Sequence, residues 1–257
     1  QNINNMLFTS IVYGPIHSRR LGVSLGVNLM PTNAKLCTFD CVYCECGWNQ
    51  PVSHPQLPTR EQVRDALKVQ LQNLNTPLNV ITFSGNGEPT LHPDFLGIIQ
   101  DTCELRDLYC PEAKISVLSN STQLMRENVV EALRLCDNRI LKLDSAIDDT
   151  MRLIDQPVNP NFSVKQIVER LQQFDGDFTL QTCFLRGEYQ GQIIDNTTSE
   201  ELQAWYQIIE VLHPKQVMIY VIDRTTPLQT LSKVPAEQMQ QIAQPLRDKG
   251  IDVIVCA

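Results

Sequence analysis

Apolar positions along this chain recur with two alternating periods. Short β-branched or alternating runs are followed by longer stretches spaced at three and four, over almost the whole length. Residues 22–29 alternate apolar and small side chains and stop before Pro31, which predicts a first strand. Thr59 opens a helix, with Gln62 as its capping-box partner and Val63, Leu67 and Leu71 on one face. The pattern then predicts a strand at 79–83, a helix at 95–109, a strand at 114–118, a helix at 124–136 with Val129, Val130 and Leu133 inward, and a strand at 139–143. Ser163 caps a helix carrying Ile167, Val168 and Leu171, and a strand at 178–184 follows. Thr198 and Glu201 make a second capping-box pattern before a helix at 202–212, with a strand at 216–222 after it. Pro235 starts a helix that Gly250 ends, and 251–255 is the last strand.

Such alternation implies an α/β fold with a parallel sheet. Six or seven units with right-handed crossovers fit a full or partial barrel or an open doubly wound sheet, and periodicity does not separate these. In each, functional residues gather at the C-terminal ends of the strands. A length of 257 residues fits one large domain or two small ones, and 42% hydrophobic content supports a sizeable core. No apolar run approaches the ~18 residues that span a bilayer. Residues 1–10 lack the basic start and apolar stretch of a secretion signal. Nine cysteines without disulfide-scaffold spacing point to a reducing, cytoplasmic setting. A start at Gln1 rather than Met points to a native start elsewhere. The net charge of −8 argues against a broad nucleic-acid surface while leaving room for a local basic patch.

The chemistry concentrates after the first predicted strand, in Cys37-Thr-Phe-Asp-Cys41-Val-Tyr-Cys44. Thiolates are the ligands of iron–sulfur clusters, and three of them leave one iron of a cubane open to a small molecule. A structural zinc site is the competing reading. It usually takes two ligand pairs separated by a longer stretch, and no second Cys-x2-Cys or His-x3-His follows. Cys46 is a candidate fourth ligand, although a free thiol suits it better. Three unrelated core cysteines fit poorly among Asp40, Glu45, Asn49 and Gln50.

The cysteine spacing, with aromatic Tyr43 before the last cysteine, resembles the radical S-adenosylmethionine (SAM) superfamily. At the next strand end, Ser84-Gly85-Asn86-Gly87-Glu88-Pro89-Thr90 resembles that superfamily's Gly-Gly-Glu motif, with Asn86 in place of the first glycine. A glycine turn lets backbone approach a ligand, and a carboxylate beside it suits a cationic amine. Tyr13-Gly-Pro, Ser18-Arg19-Arg20-Leu-Gly22, Ser24-Leu-Gly26, Pro31 and Ile222-Asp223-Arg224-Thr225-Thr226-Pro227 further resemble one branch, the Fe–S oxidoreductases grouped with wyosine-type tRNA synthases. The resemblance covers about residues 11–230.

The resemblance implies a partial (β/α)6 TIM-like barrel, read here as a single domain over 1–257 with segment 1–21 packed against it. It implies a 4Fe–4S cluster on Cys37, Cys41 and Cys44, with SAM chelated at the open iron. Reductive cleavage of SAM would then give a 5′-deoxyadenosyl radical that abstracts hydrogen from a tRNA base, a peptide or a small metabolite. An external one-electron donor of flavodoxin or ferredoxin type is implied as well. For SAM the resemblance points to Tyr43, Gly87, Glu88, Asn120, Asp144, Ser145, Gln181 and Arg186. For the substrate it points to Tyr220, Asp223, Arg224, His17, Arg19 and Arg20. Plainer readings stand beside these: turn formation for Ser121 and Thr122, a surface pair of Arg186 with Glu188, an Asp223–Arg224 turn pair and a solvated arginine face. Wyosine synthesis is not carried over, because no cysteine precedes Cys37 to hold a second cluster. The remaining cysteines, 103, 110, 136, 183 and 256, are expected to be buried thiols. The alternative function is a non-catalytic Fe–S or zinc-binding protein, or an electron-transfer protein.

Overall fold

A computed structural model describes residues 6–224 and 226–257. Thr225 of the 222–227 motif and the first five residues of the 1–21 segment lie outside the described residues. The chain divides into two compact units, one of residues 6–37 and 49–140, the other of 38–48 and 141–257. The division falls inside the cysteine run, after Cys37.

The first unit opens with strands β1 (Val12–Ser18) and β2 (Gly22–Val27), followed by helix α1 (Arg60–Gln72), β3 (Val80–Phe83), α2 (Phe95–Tyr109), β4 (Lys114–Ser119) and α3 (Glu127–Leu135). Strand β5 (Asn138–Lys142) crosses the division between Ile140 and Leu141. The strand order is β1-β2-β3-β4-β5. β2, β3 and β4 are parallel, with Val27 opposite Phe83 and Phe83 opposite Val117. Leu25, Val27, Ile81, Phe83, Ile115 and Val117 are fully buried. Each such side chain contributes roughly 1.5–3 kcal/mol of burial. The helix starting at Thr59 forms as its capping box predicts: Thr59 accepts from the Gln62 N–H and Gln62 answers to the Thr59 N–H.

Residues 12–18 depart from expectation. The sequence reading leaves them as a loop, yet they form β1, antiparallel to β2, with Ser18 opposite Gly22. The pairing register shifts between Tyr13 and Ile16, where Gly14 and Pro15 sit. A bulge on an edge strand is a place where the sheet tolerates proline.

The second unit continues with α4 (Asp148–Asp155), α5 (Val164–Gln172), β6 (Thr179–Cys183), β7 (Leu185–Tyr189), β8 (Gln192–Asp195), α6 (Ser199–Leu212), β9 (Gln216–Tyr220), β10 (Ser232–Lys233), α7 (Ala236–Asp248) and β11 (Asp252–Cys256). Here the order is β5-β6-β9-β11, with β6, β9 and β11 parallel. A small antiparallel sheet, β10-β7-β8, is separate. The Thr198 pattern is realised by half. Thr198 accepts from the Glu201 N–H, but the Glu201 carboxylate accepts from the Ser145 hydroxyl at 2.7 Å instead of returning to the cap. Among the described residues no helix is long and apolar enough to cross a membrane. Cys136, Cys183 and Cys256 are buried as expected, whereas Cys103 and Cys110 on α2 and its C-cap are only half-buried.

Candidate active site

In the first unit the glycine-rich turn after β3 meets the segment entering the cysteine run. The Leu36 N–H donates to the Asn86 carbonyl at 2.9 Å, and the Glu88 N–H donates to the Leu36 carbonyl at 3.1 Å. Gly87 lies between them at φ +141°, so close that a Cβ there would stand 1.7 Å from the Leu36 oxygen. Only glycine fits both the backbone angle and the approach. Asn86, the departure from Gly-Gly-Glu, is fully buried. Its amide donates to the Phe8 and Pro31 carbonyls at 2.8 Å each and accepts from the Phe8 N–H at 2.8 Å, while its own N–H donates to Asn28 Oδ1 at 3.1 Å. The substitution thus fastens residues 8 and 31 to the turn.

Glu88 is 2% exposed and caps a short 3-10 turn, Pro89–Leu91. Its Oε1 accepts from the Thr90 hydroxyl at 2.9 Å, and its Oε2 accepts from the Asn120 N–H at 2.7 Å. Burial pushes its carboxyl above the usual range, while the donors Asn120, Thr90 and Ser119 work the other way. Asn120, just past β4, turns its side-chain amide to Cys37, with Nδ2 3.5 Å from Sγ. Asn49 Nδ2 donates to the Cys37 carbonyl at 3.3 Å. Thr122 folds onto Asn120, as the turn reading expects.

In the second unit the rest of the cysteine run is anchored to α4 and its neighbours. The Asp40 and Val42 N–H groups donate to the Asp155 and Ile154 carbonyls at 2.8 and 2.9 Å, and the Cys41 thiol faces Asp155 Oδ1 at 3.6 Å. Two tight turns follow, Cys44 N–H to the Cys41 carbonyl and Gly47 N–H to the Cys44 carbonyl. The Tyr43 hydroxyl donates to Asp144 Oδ2 at 2.6 Å and contacts Lys142 Nζ. Lys142 also reaches Asp144 at 3.3 Å and the Tyr220 hydroxyl at 3.4 Å. Asp144 accepts from the Cys183 N–H at 2.9 Å through its other oxygen.

This polar cluster is deeply placed, with 13% of the Lys142 side-chain surface exposed and none of that of Asp144. Burial works to lower the Lys142 pKa, but Asp144, with Tyr220, Cys41 and Asp155 behind it, outweighs burial, and the ammonium is held well above its ordinary value. Asp144 and Asp155 are tightly coupled. Burial and the Asp144 charge drive Asp155 upward, whereas Asp144 is pushed below the carboxylate range against its own burial by Lys142 and a hydrogen bond from Asp155. Burial and Asp144 push the Tyr43 phenol well up.

The structure therefore brings together Tyr43, Asp144 and Tyr220 in one unit, and Cys37, Gly87, Glu88 and Asn120 in the other. It adds Lys142 and Asp155, which the sequence reading missed. Lys142 was detectable: in a strand it shares a face with Asp144, two residues on. Asp155 was not, because α4 was unseen. Ser145 is buried, donating to Glu201 and accepting from the Ile147 N–H at 3.0 Å. Gln181 lies buried in β6 with its amide toward the Met218 sulfur. Arg186 does not pair with Glu188: it bonds Thr197 and Gln238 at 2.7 Å each and stands 3.6 Å from Asp195, tying β7, β8 and α7. Arg224 pairs with Glu45 at 3.2 Å, beside Cys44 in the chain, and Asp223 lies 4.0 Å from Lys233.

His17, Arg19 and Arg20 are a correction. The β1–β2 hairpin carries them to the N-terminal edge of the parallel strands. The turn at 84–88 and Asn120 lie at the opposite edge, one strand length or roughly 20 Å away. These residues do not join the others of their unit. Cys46 is buried beside the run. Among the described residues no three His, Cys, Asp or Glu side chains gather as a single metal ion requires. A trio of cysteines within eight residues, none of them in a disulfide, fits the thiolate donor set that an iron–sulfur cluster requires.

A family model described as the radical SAM superfamily matches residues 34–195. A UPF0026 protein of Synechocystis is 32% identical over 227 residues, covering 85% of this chain and 77% of its own. The chain spans between 33% and 77% of the lengths of the curated relatives it matches. Among solved structures, Streptococcus suis SuiB bound to S-adenosylmethionine superposes with a TM-score of 0.63 at 12% identity, over 86% of this chain and 48% of its own. TYW1 with a lysine-pyruvate adduct superposes with a TM-score of 0.63 at 15% identity, over 88% and 73%. At these identities the likeness is one of fold: α/β, of the partial-barrel type.

Proposed function

The chain belongs to the radical SAM superfamily, and from that premise we propose that it is an enzyme that holds a 4Fe–4S cluster on Cys37, Cys41 and Cys44 and cleaves SAM reductively to act on a tRNA base, a peptide or a small metabolite. The observation that carries this reading is the fastening of Leu36 across Gly87, which sets Cys37 beside the Glu88 turn with the Asn120 amide on its sulfur. Cys37, Cys41 and Cys44 would hold the cluster, which when bound would supply the one electron that splits the sulfur–carbon bond of SAM, releasing methionine and providing radical chemistry for hydrogen abstraction from the substrate. The chain's own residues orient and enclose. Glu88 offers a carboxylate to the SAM amino group, Gln181 and Ser145 line its polar surroundings, and Tyr43 is fixed by Lys142 and Asp144. Tyr220, Asp223 and Arg224 are the side chains offered to the substrate, Arg224 from its ion pair with Glu45 and Asp223 from beside Lys233. An external flavodoxin- or ferredoxin-type donor in the cytoplasm completes the reading, with residues 1–257 acting as one catalytic domain.

Anaerobic reconstitution tests it. Wild type should take up a cluster whose spectrum changes on adding SAM. Cys37→Ala, Cys41→Ala and Cys44→Ala should each lose both cluster and SAM cleavage, while Cys46→Ala keeps both. A cluster lost in Cys46→Ala would favour a fourth protein ligand and the electron-transfer alternative.

Glu88→Gln should keep the cluster and weaken SAM binding at least tenfold, since a hydrogen bond to a charged group contributes about 1.5–3 kcal/mol. Unchanged SAM affinity by titration calorimetry would reduce Glu88 to its bonds with Thr90 and Asn120.

A further inference from the structure

The side chain of Asn120 has only one arrangement that satisfies its surroundings. Oδ1 accepts from the Thr122 N–H at 3.1 Å and from the Thr122 hydroxyl at 2.8 Å. Rotating the amide by half a turn would set its NH2 against the Thr122 N–H, which can only donate, and its oxygen against the lone pairs of the Cys37 thiolate. Nδ2 is therefore the atom facing Cys37 Sγ at 3.5 Å. The backbone is fixed as well, by the Asn120 N–H to Glu88 Oε2 at 2.7 Å. Cys37 is fixed from its own side by Leu36 and Asn49. All of these groups belong to one unit. From these contacts we propose that Asn120 is a positioning residue that donates its amide N–H to the Cys37 thiolate and raises the reduction potential of the cluster, a role distinct from holding the ribose or carboxylate of SAM. It rests on the cluster assignment above. The reduced cluster carries more negative charge on its sulfurs than the oxidised one, so an N–H donor stabilises the reduced state more; hydrogen bonds to cluster sulfurs are one of the levers that set such potentials.

The test is a redox titration of the reconstituted protein, followed by the electron paramagnetic resonance of the reduced cluster, on wild type, Asn120→Asp and Asn120→Ala. Asn120→Asp keeps the acceptor for Thr122 and removes the donor. At the wild-type midpoint its reduced-to-oxidised ratio should fall about tenfold, which for a one-electron couple is about 59 mV. Asn120→Ala should move the same way by a smaller amount. SAM affinity for the oxidised cluster should change less than twofold in either. Unmoved potentials, or lost SAM affinity with an unmoved potential, would overturn the assignment. Failure of both variants to load a cluster would also count against it, because the fold around Cys37 must then depend on the amide structurally. A wild type that binds no cluster would instead defeat the reading on which the inference rests.

Discussion

Gly87→Ala should abolish cluster loading and cost several kcal/mol of stability. The new Cβ would lie 1.7 Å from the Leu36 oxygen, 2.5 Å from its carbonyl carbon and 3.1 Å from its nitrogen. All three are backbone atoms, with no flexible side-chain end to swing away. The residue also sits at φ +141°, where an L side chain is strained in its own right. Relief requires Leu36 to withdraw, which breaks its hydrogen bonds to Asn86 and Glu88. Each buried group left unpaired costs about 1–3 kcal/mol, and the forced backbone shift adds roughly 1–3 kcal/mol. Because Leu36 precedes Cys37 directly, the sulfur leaves the Asn120 amide with it. Gly191→Ala is the control: φ is +75° there and nothing lies within 4 Å of its Cβ position, so only the backbone penalty of roughly 1–2 kcal/mol remains. Urea unfolding and the visible spectrum of the reconstituted proteins separate the two. A Gly87→Ala protein that loads a full cluster would show that the crossing at Leu36 does not set the position of Cys37.

The alternation of periods was enough to find the parallel strands, because their cores are short apolar runs with strong caps beside them. The capping box at Thr59 forms as expected, and the cap at Ser163 forms too, with Gln166 completing a box that was not anticipated. What escaped the pattern has particular causes. Helix α4 is eight residues long and has no side-chain cap at Ile147. The β7–β8 hairpin turns on Gln190 and Gly191, both at positive φ, and Gln-Gly is a weaker turn signal than Asn-Gly. β1 was hidden by Gly14-Pro15, which reads as a loop until a bulge absorbs it. That error displaced His17, Arg19 and Arg20, since a hairpin reverses the chain and a loop need not. The Gly87-Glu88 turn was legible because close backbone approach demands glycine, and the cysteine run stood out because three thiols at that spacing are seldom a core pattern. The use of Glu201 on Ser145, and of Arg186 on Thr197 and Gln238, was not legible, because local spacing carries no information about a partner tens of residues away.

Lys142→Met should lower stability by about 3 kcal/mol, chiefly by stranding Asp144. Removing one partner of a buried pair costs roughly 3–5 kcal/mol. The lower end applies because the Tyr43 hydroxyl and the Cys183 N–H still donate to Asp144, and because Lys142 keeps some exposure to water. Asp144→Asn alone should be destabilising in turn, since it leaves the ammonium facing two phenols without its carboxylate. Lys142→Met with Asp144→Asn should then cost less than the sum of the two single changes. That shortfall in a double-mutant cycle reads the coupling, expected at roughly 1–3 kcal/mol for residues in one network. Urea midpoints of the four proteins at constant pH supply the numbers. Strict additivity would mean that Lys142 and Asp144 are neighbours without energetic coupling.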